Sequence, residues 1–207
     1  MTARPRTPAR RATSAALPFV LSALVLSGCG VLGSTSAEPS TTPSPTEQAL
    51  PAGNPTDGLD VQGTGYSLTT PPGWEETTDE VQQRYHQVDA SAGDTAVTGG
   101  FADNVNVIVS DKRRIKSQQK AERILARELR LVGRRVEVQE PGELDGEVAY
   151  HATARLKVGH LKVRTSQYFA KHGRTWYLVT FSYGPQTDEE SEAEEVQSML
   201  DSWQWSD

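Results

Sequence analysis

Cysteine is nearly absent from this chain: of 207 residues only Cys29 carries a thiol. A single cysteine closes no intramolecular disulfide and builds no multi-thiolate zinc site, so disulfide scaffolds and zinc ribbons are excluded. Histidine is scarce too. His86, His151, His160 and His172 show neither H-x-x-x-H nor H-E-x-x-H spacing, so no metal site and no cofactor are expected. There is no G-x-S-x-G elbow, and Gly63-Thr64-Gly65 does not lead into a helical pattern. A nucleophile-elbow hydrolase and a phosphate loop are therefore not indicated. The one long apolar run, Ala15 to Leu26, falls short of the ~20 residues a membrane span requires. No internal repeat is visible. Basic residues are in deficit, 21 against 27 acidic, for a net charge of −6. Four arginines and no acid lie within residues 1–28, so the remainder carries 17 basic and 27 acidic residues. An acidic chain of this kind argues against a nucleic-acid partner.

What is present begins at the N-terminus. Arg4, Arg6, Arg10 and Arg11 precede the apolar run, and Leu26-Ser27-Gly28-Cys29 follows it. A basic region, a short apolar stretch and small residues form the pattern of a secretory signal. Ending in Leu-Ser-Gly-Cys, it resembles a bacterial lipoprotein lipobox. That resemblance implies cleavage between Gly28 and Cys29, a lipid thioether on Cys29, and a mature protein held by that anchor on the extracytoplasmic face of the cell membrane.

Residues 29–58 are rich in Ser, Thr, Pro, Ala and Gly, and too poor in apolar surface to offset the entropy of ordering. They read as a disordered tether between a signal peptide, 1–28, and a single globular domain, 59–207. The domain is long enough to bury one self-sufficient core.

Within the domain, Tyr66 to Thr69 reads as a strand stopped by Pro71-Pro72-Gly73, and Tyr85 to Ala90 as a second strand. In Asn104 to Val109 the valines alternate with asparagines, which predicts a strand with one packed face. A helix is expected over Ser117 to Val132, with Ala121, Ile124, Leu125, Leu129 and Val132 as its apolar stripe and Gly133 as its stop. A short strand follows at Val136 to Val138. Val148 to Leu156, Leu161 to Phe169 and Trp176 to Tyr183 read as three hairpin-connected strands turning at Gly159 and at His172-Gly173. A final helix is expected to be capped by Thr187 with Glu190 in a capping box, burying Ala193, Val196, Met199 or Leu200, and Trp203. The fold class that emerges is α+β, a mostly antiparallel sheet with helices packed on it.

The order of several motifs resembles the LpqN-type lipoproteins of actinobacteria and, more broadly, the PsbP-like α/β/α sandwich. They are Tyr66-Ser-Leu-Thr-Thr-Pro-Pro-Gly-Trp74, Phe101-Ala-Asp-Asn-Val-Asn-Val-Ile-Val109, Gly173-Arg-Thr-Trp-Tyr-Leu-Val-Thr-Phe181, and Val196 to Trp203. The resemblance implies a binding or accessory module and not an enzyme. The wider fold includes photosystem extrinsic subunits and a Ran-binding import factor, and it supplies no catalytic residue to carry over.

Two features remain as candidate surfaces. Residues 112–135 hold ten Lys or Arg and two acids, against a net of −18 in the rest of the mature chain. Lys120, Arg123, Arg127, Arg130 and Arg134 recur every three or four residues and are expected on one helical flank, facing either solvent or an anionic surface. Tyr168 and Trp205 could line a partner edge, or Trp205 could fold back onto the core. The expected role is a membrane-anchored, non-catalytic envelope module that meets an envelope protein, a wall polymer or a lipid ligand. The alternatives are a carrier, which needs an enclosed apolar cavity, and an envelope hydrolase, which needs a base and a nucleophile in contact within a cleft.

Overall fold

The computed structural model describes residues 58–95, 100–111, 115 and 117–206. Gly28, Cys29 and nearly all of the tether lie outside the described residues. The strands are β1 (Asp60–Gly63), β2 (Tyr66–Thr69), β3 (Trp74–Glu76), β4 (Val88–Asp94), β5 (Asn104–Ser110), β6 (Arg134–Val138), β7 (Gly142–Leu144), β8 (Glu147–Val158), β9 (Leu161–His172), β10 (Thr175–Tyr183) and β11 (Gln204–Trp205). The helices are α1 (Thr78–Gln82), α2 (Gln118–Val132) and α3 (Glu189–Asp201).

The large sheet runs β3-β4-β5-β10-β9-β8-β6, with β7 paired to β8, and every pairing is antiparallel. Its centre is the expected meander. Val158 pairs with Leu161, and His172 with Thr175, so both connections are two-residue turns. Each needs positive φ at its first turn residue, and Gly159 and Gly173 supply it at 59° and 55°. A second sheet, β1-β2-β11, carries the C-terminus back beside Tyr66.

Alternation along β10 sorts its side chains to two faces. Tyr177, Val179, Phe181 and Tyr183 join Tyr66, Leu68, Val196, Met199 and Trp203 under α3 and the small sheet. Trp176 and Leu178 join Phe169, Ala121, Leu125 and Leu129 under α2. The large sheet is therefore the middle of three layers, the α/β/α arrangement that the family resemblance implied.

Several expectations need correction. The second strand is β4, starting at Val88. Tyr85 precedes it, half-buried against Val81 and Val88 where α1 packs on β4. On β5 both faces are covered: Asn104 and Asn106 are as buried as Val105 and Val107. The asparagines stay buried because they satisfy one another. Asn106 donates to Asn104 Oδ1, Asn104 to the Ala102 carbonyl, and Ser91 Oγ to Asn106 Oδ1. Val132, at the fraying end of α2, is 44% exposed, and Ala193 is also exposed. Gly133 ends α2 in extended backbone, and a Cβ there would lie 2.9 Å from Ala154 Cβ, so close packing and not a left-handed cap explains the glycine. Asp188, not Thr187, caps α3 by accepting from the Glu190 and Ser191 amides, because the Thr187 hydroxyl is spent on Asp103. The hairpin β7–β8 turns on Asp145-Gly146, a strong hairpin signal that the strand reading passed over.

Candidate functional site

A groove of about 470 Å³, open to solvent, lies between the first turns of α3 and the middle stretches of β8 and β9 beside β6. Its position follows from register. His151 pairs with Tyr168, Thr153 with Ser166 and Arg155 with Arg164, so these six side chains share the α3 face of the sheet. Two arginines directly opposite each other repel, and α3 offsets this with carboxylates. Arg155 Nη2 donates to Glu189 at 3.0 Å, and Arg164 pairs with Glu192 and donates to the Thr187 carbonyl. The floor is a ring stack, His151 on Tyr168 at 4.2 Å and 11°, with Phe181 edge-on to Tyr168. Tyr168, expected at a partner edge, thus sits under a groove. Trp205 instead folds back: it stacks on His172 at 4.5 Å and its indole N–H donates to the Leu144 carbonyl at 3.0 Å.

The groove also brings together a pair that sequence reasoning did not single out. His151 Nε2 lies 2.7 Å from Ser166 Oγ. No motif announces it, because the two residues sit on different strands and meet only through register. Its chemistry is weak for nucleophilic catalysis. Burial lowers the His151 imidazole to about 4, far below what a general base at neutral pH needs. Among the described residues no carboxylate hydrogen-bonds His151 to orient it. Ser166 lies mid-strand, paired with Thr153 on one side and Phe181 on the other, so nearby backbone N–H groups serve the sheet and not an oxyanion. Among the described residues no group of three or more His, Cys, Asp or Glu could hold a metal ion.

The wall of the groove is fixed from behind. Asp103 accepts from the Gly184 amide at 2.6 Å, from Gln186 at 3.5 Å and from the Thr187 hydroxyl, tying β5 to the loop that launches α3. Burial raises the Asp103 carboxyl, and these hydrogen bonds only partly oppose it. Burial also pushes Glu195, on α3, up to about 7.

The basic flank is real for four of its five residues. Lys120, Arg123, Arg127 and Arg130 are exposed on α2, with Arg123 donating to the Gln119 carbonyl and Arg127 to Glu128. Arg134 is not on the helix. The chain leaves α2 at Val132, and Arg134 opens β6. Beside the flank, Leu131 is 70% exposed.

No family model matches the chain, and no curated protein matches it. Solved structures do. A protein of Bacteroides thetaiotaomicron aligns at 10% identity with a TM-score of 0.51, over 73% of this chain and 49% of that one, so this chain spans about half the length of that relative. LpqN of Mycobacterium tuberculosis, a protein involved in cell envelope biogenesis, aligns at 10% identity and a TM-score of 0.51, over 71% of this chain and 92% of LpqN. Cyanobacterial PsbP, CyanoP, of Synechocystis aligns at 18% identity and a TM-score of 0.48, over 70% and 92%. At these identities the likeness is one of fold. The fold is an α/β/α sandwich, an antiparallel sheet between helices. More particularly it is the fold of LpqN, as the motif order led one to expect.

Proposed function

We propose that this protein is a lipid-anchored, extracytoplasmic accessory module of the cell envelope, working by binding and not by catalysis. The anchor rests on Leu26-Ser27-Gly28-Cys29 behind its basic and apolar regions. The envelope setting is supported by the fold shared with LpqN, a protein of cell envelope biogenesis. The observation that carries the binding role is the groove on the α3 face: it is of ligand-site size, ~300–1,000 Å³, and its two walls, the sheet and α3, are joined by ion pairs. Its charged lining favours an envelope protein or a wall polymer over a lipid tail, and so weighs against the carrier. The cationic flank of α2 offers a separate surface to anionic headgroups or polymer.

A second reading, an envelope hydrolase, is favoured by one observation, the His151–Ser166 contact. Cell fractionation tests the anchor, and a serine-reactive probe distinguishes the two readings. The wild type is expected in the membrane fraction and Cys29→Ser in the soluble or secreted fraction, with a fluorophosphonate probe leaving Ser166 unlabelled in both. Retention of Cys29→Ser on membranes overturns the anchor. Labelling of Ser166 that disappears in His151→Gln overturns the non-catalytic role.

A further inference from the structure

We propose that the groove recognises an anionic glycan, a short run of sugar rings carrying sparse negative charge, and that Arg135 is the residue that reads the charge. The inference rests on the binding role proposed above and names its ligand class.

Arg135 is the anomaly of the sheet. Its φ is +53°, in the left-handed region that a side chain such as arginine rarely adopts. It lies in edge strand β6, where Arg134 pairs with Arg155 and Glu137 with Thr153. Arg135 and Val136 of β6 thus lie opposite the single Ala154 of β8, which is a bulge. Bulges on edge strands re-aim side chains, and strained backbone persists where surrounding structure enforces it, often at binding sites. Arg135 lines the groove. Arg155 and Arg164 line it too, but each is already held by a glutamate. Arg135 alone of the three makes no hydrogen bond or ion pair among the described residues. A guanidinium fork left open in a concave site suits a carboxylate or a phosphate oxygen pair.

The rest of the lining sets the class of ligand. Three arginines are balanced there by Glu137, Glu189 and Glu192, so a densely charged polyphosphate meets as much repulsion as attraction. Paired Arg and Glu side chains, with Thr153, Ser166 and Gln197, present donors and acceptors side by side. Sugar hydroxyls, which both donate and accept, match such a lining, and the C–H face of a sugar ring matches the partly exposed His151 ring, which is backed by buried Tyr168. An acyl chain matches neither. The groove is open to solvent, as a segment of a polymer requires.

The test uses the full chain in detergent, with calorimetric titration of trigalacturonate, neutral maltotriose and glucose 6-phosphate. Arg135→Asn keeps a residue that tolerates left-handed backbone while removing the charge. Trigalacturonate is expected to bind at least tenfold tighter than maltotriose. In Arg135→Asn that preference should fall below twofold while the melting temperature stays at or above wild type. Arg135→Lys, a point charge without the fork, should be intermediate. Stronger binding of glucose 6-phosphate than of trigalacturonate supports the anion-reading role and makes phosphate the source of the charge. Equal binding of charged and neutral sugars, an unchanged preference in Arg135→Asn, or no binding of any probe overturns the proposal. No sugar binding by a protein that still fractionates with membranes removes this inference and leaves the envelope role standing. Loss from membranes with sugar binding intact does the reverse.

Discussion

His151 and Glu195 are buried titratable groups whose effects on stability have opposite signs. Burial holds the Glu195 carboxyl up to about 7, so the folded protein keeps a proton there that the unfolded chain has lost. Its contribution is complete below the usual carboxyl value of ~4.3 and disappears as pH rises through 7. The His151 imidazole, lowered to about 4, binds its proton less readily folded than unfolded, so its contribution grows as pH rises from 4 to ~6.5. Through that shared window the two slopes oppose. Replacing Glu195 with Gln should therefore make stability climb more steeply between pH 4.5 and 6.5. It should also raise stability at pH 8 by on the order of 1 kcal/mol, after allowing for solvent screening of a partly exposed carboxyl. Thermal melts across pH check this, and an unchanged slope would contradict the assignment. Neither residue was marked by a sequence pattern. His151 is one of four scattered histidines, and Glu195 one of several acids in an acidic helix. Only burial separates them from their neighbours.

Among the elements, α2 was the most legible. Its apolar stripe, its start at Ser117 and its stop before Gly133 all follow from period and glycine. Sequence could not say where the helix would stop touching the sheet. Val132 looks apolar and is exposed, while Glu128 looks polar and is 95% buried, its Oε1 held by Arg127. The outer flank carries the prediction. Replacing Arg123, Arg127 and Arg130 with Gln, in a Cys29→Ser background so that no anchor masks the effect, should weaken retention on phosphatidylglycerol vesicles by up to about 100-fold at low salt, from ~1 kcal/mol per charge. Retention of Cys29→Ser with the flank intact should fall as salt rises. All three residues are exposed, but Arg127 partners the buried Glu128 carboxylate, so the Arg123→Gln, Arg130→Gln double variant, which leaves that pair intact, is the control expected to keep the fold unaffected. Sedimentation with vesicles measures it, and salt-independent retention would leave the flank an ordinary solvated face. At α3 the cap was misplaced by one residue for a tertiary reason: the Thr187 hydroxyl has a stronger claim from Asp103, 84 positions away.

At the scale of the whole molecule, the C-terminal residues close the structure. Trp203 stacks on Tyr66 at 4.3 Å, and β11 pairs with β2, joining the last residues to the first strands. Trp205 then reaches the β7–β8 turn through its indole N–H and through its own amide, which donates to Asp145 at 3.0 Å. Trp205→Ala should cost about 2 kcal/mol, less than the ~3–5 kcal/mol of a fully buried tryptophan because its ring is only partly buried. Denaturant melts check it, and a change under 0.5 kcal/mol would mean that the stack on His172 adds nothing. The sequence by itself determined the antiparallel meander, the two long helices and the sandwich class, because periodicity, turn glycines and helix stops act between near neighbours. It also supplied the lipobox expectation, which depends on local order alone. The tertiary structure decided the rest: the small sheet, the burial of Asn104 and Asn106, the return of Trp205, and the groove itself. Those depend on which strands lie side by side and in what register, and the pairings that bring Arg135, His151, Ser166 and Glu192 to one face span nearly sixty residues of chain. No local pattern encodes them.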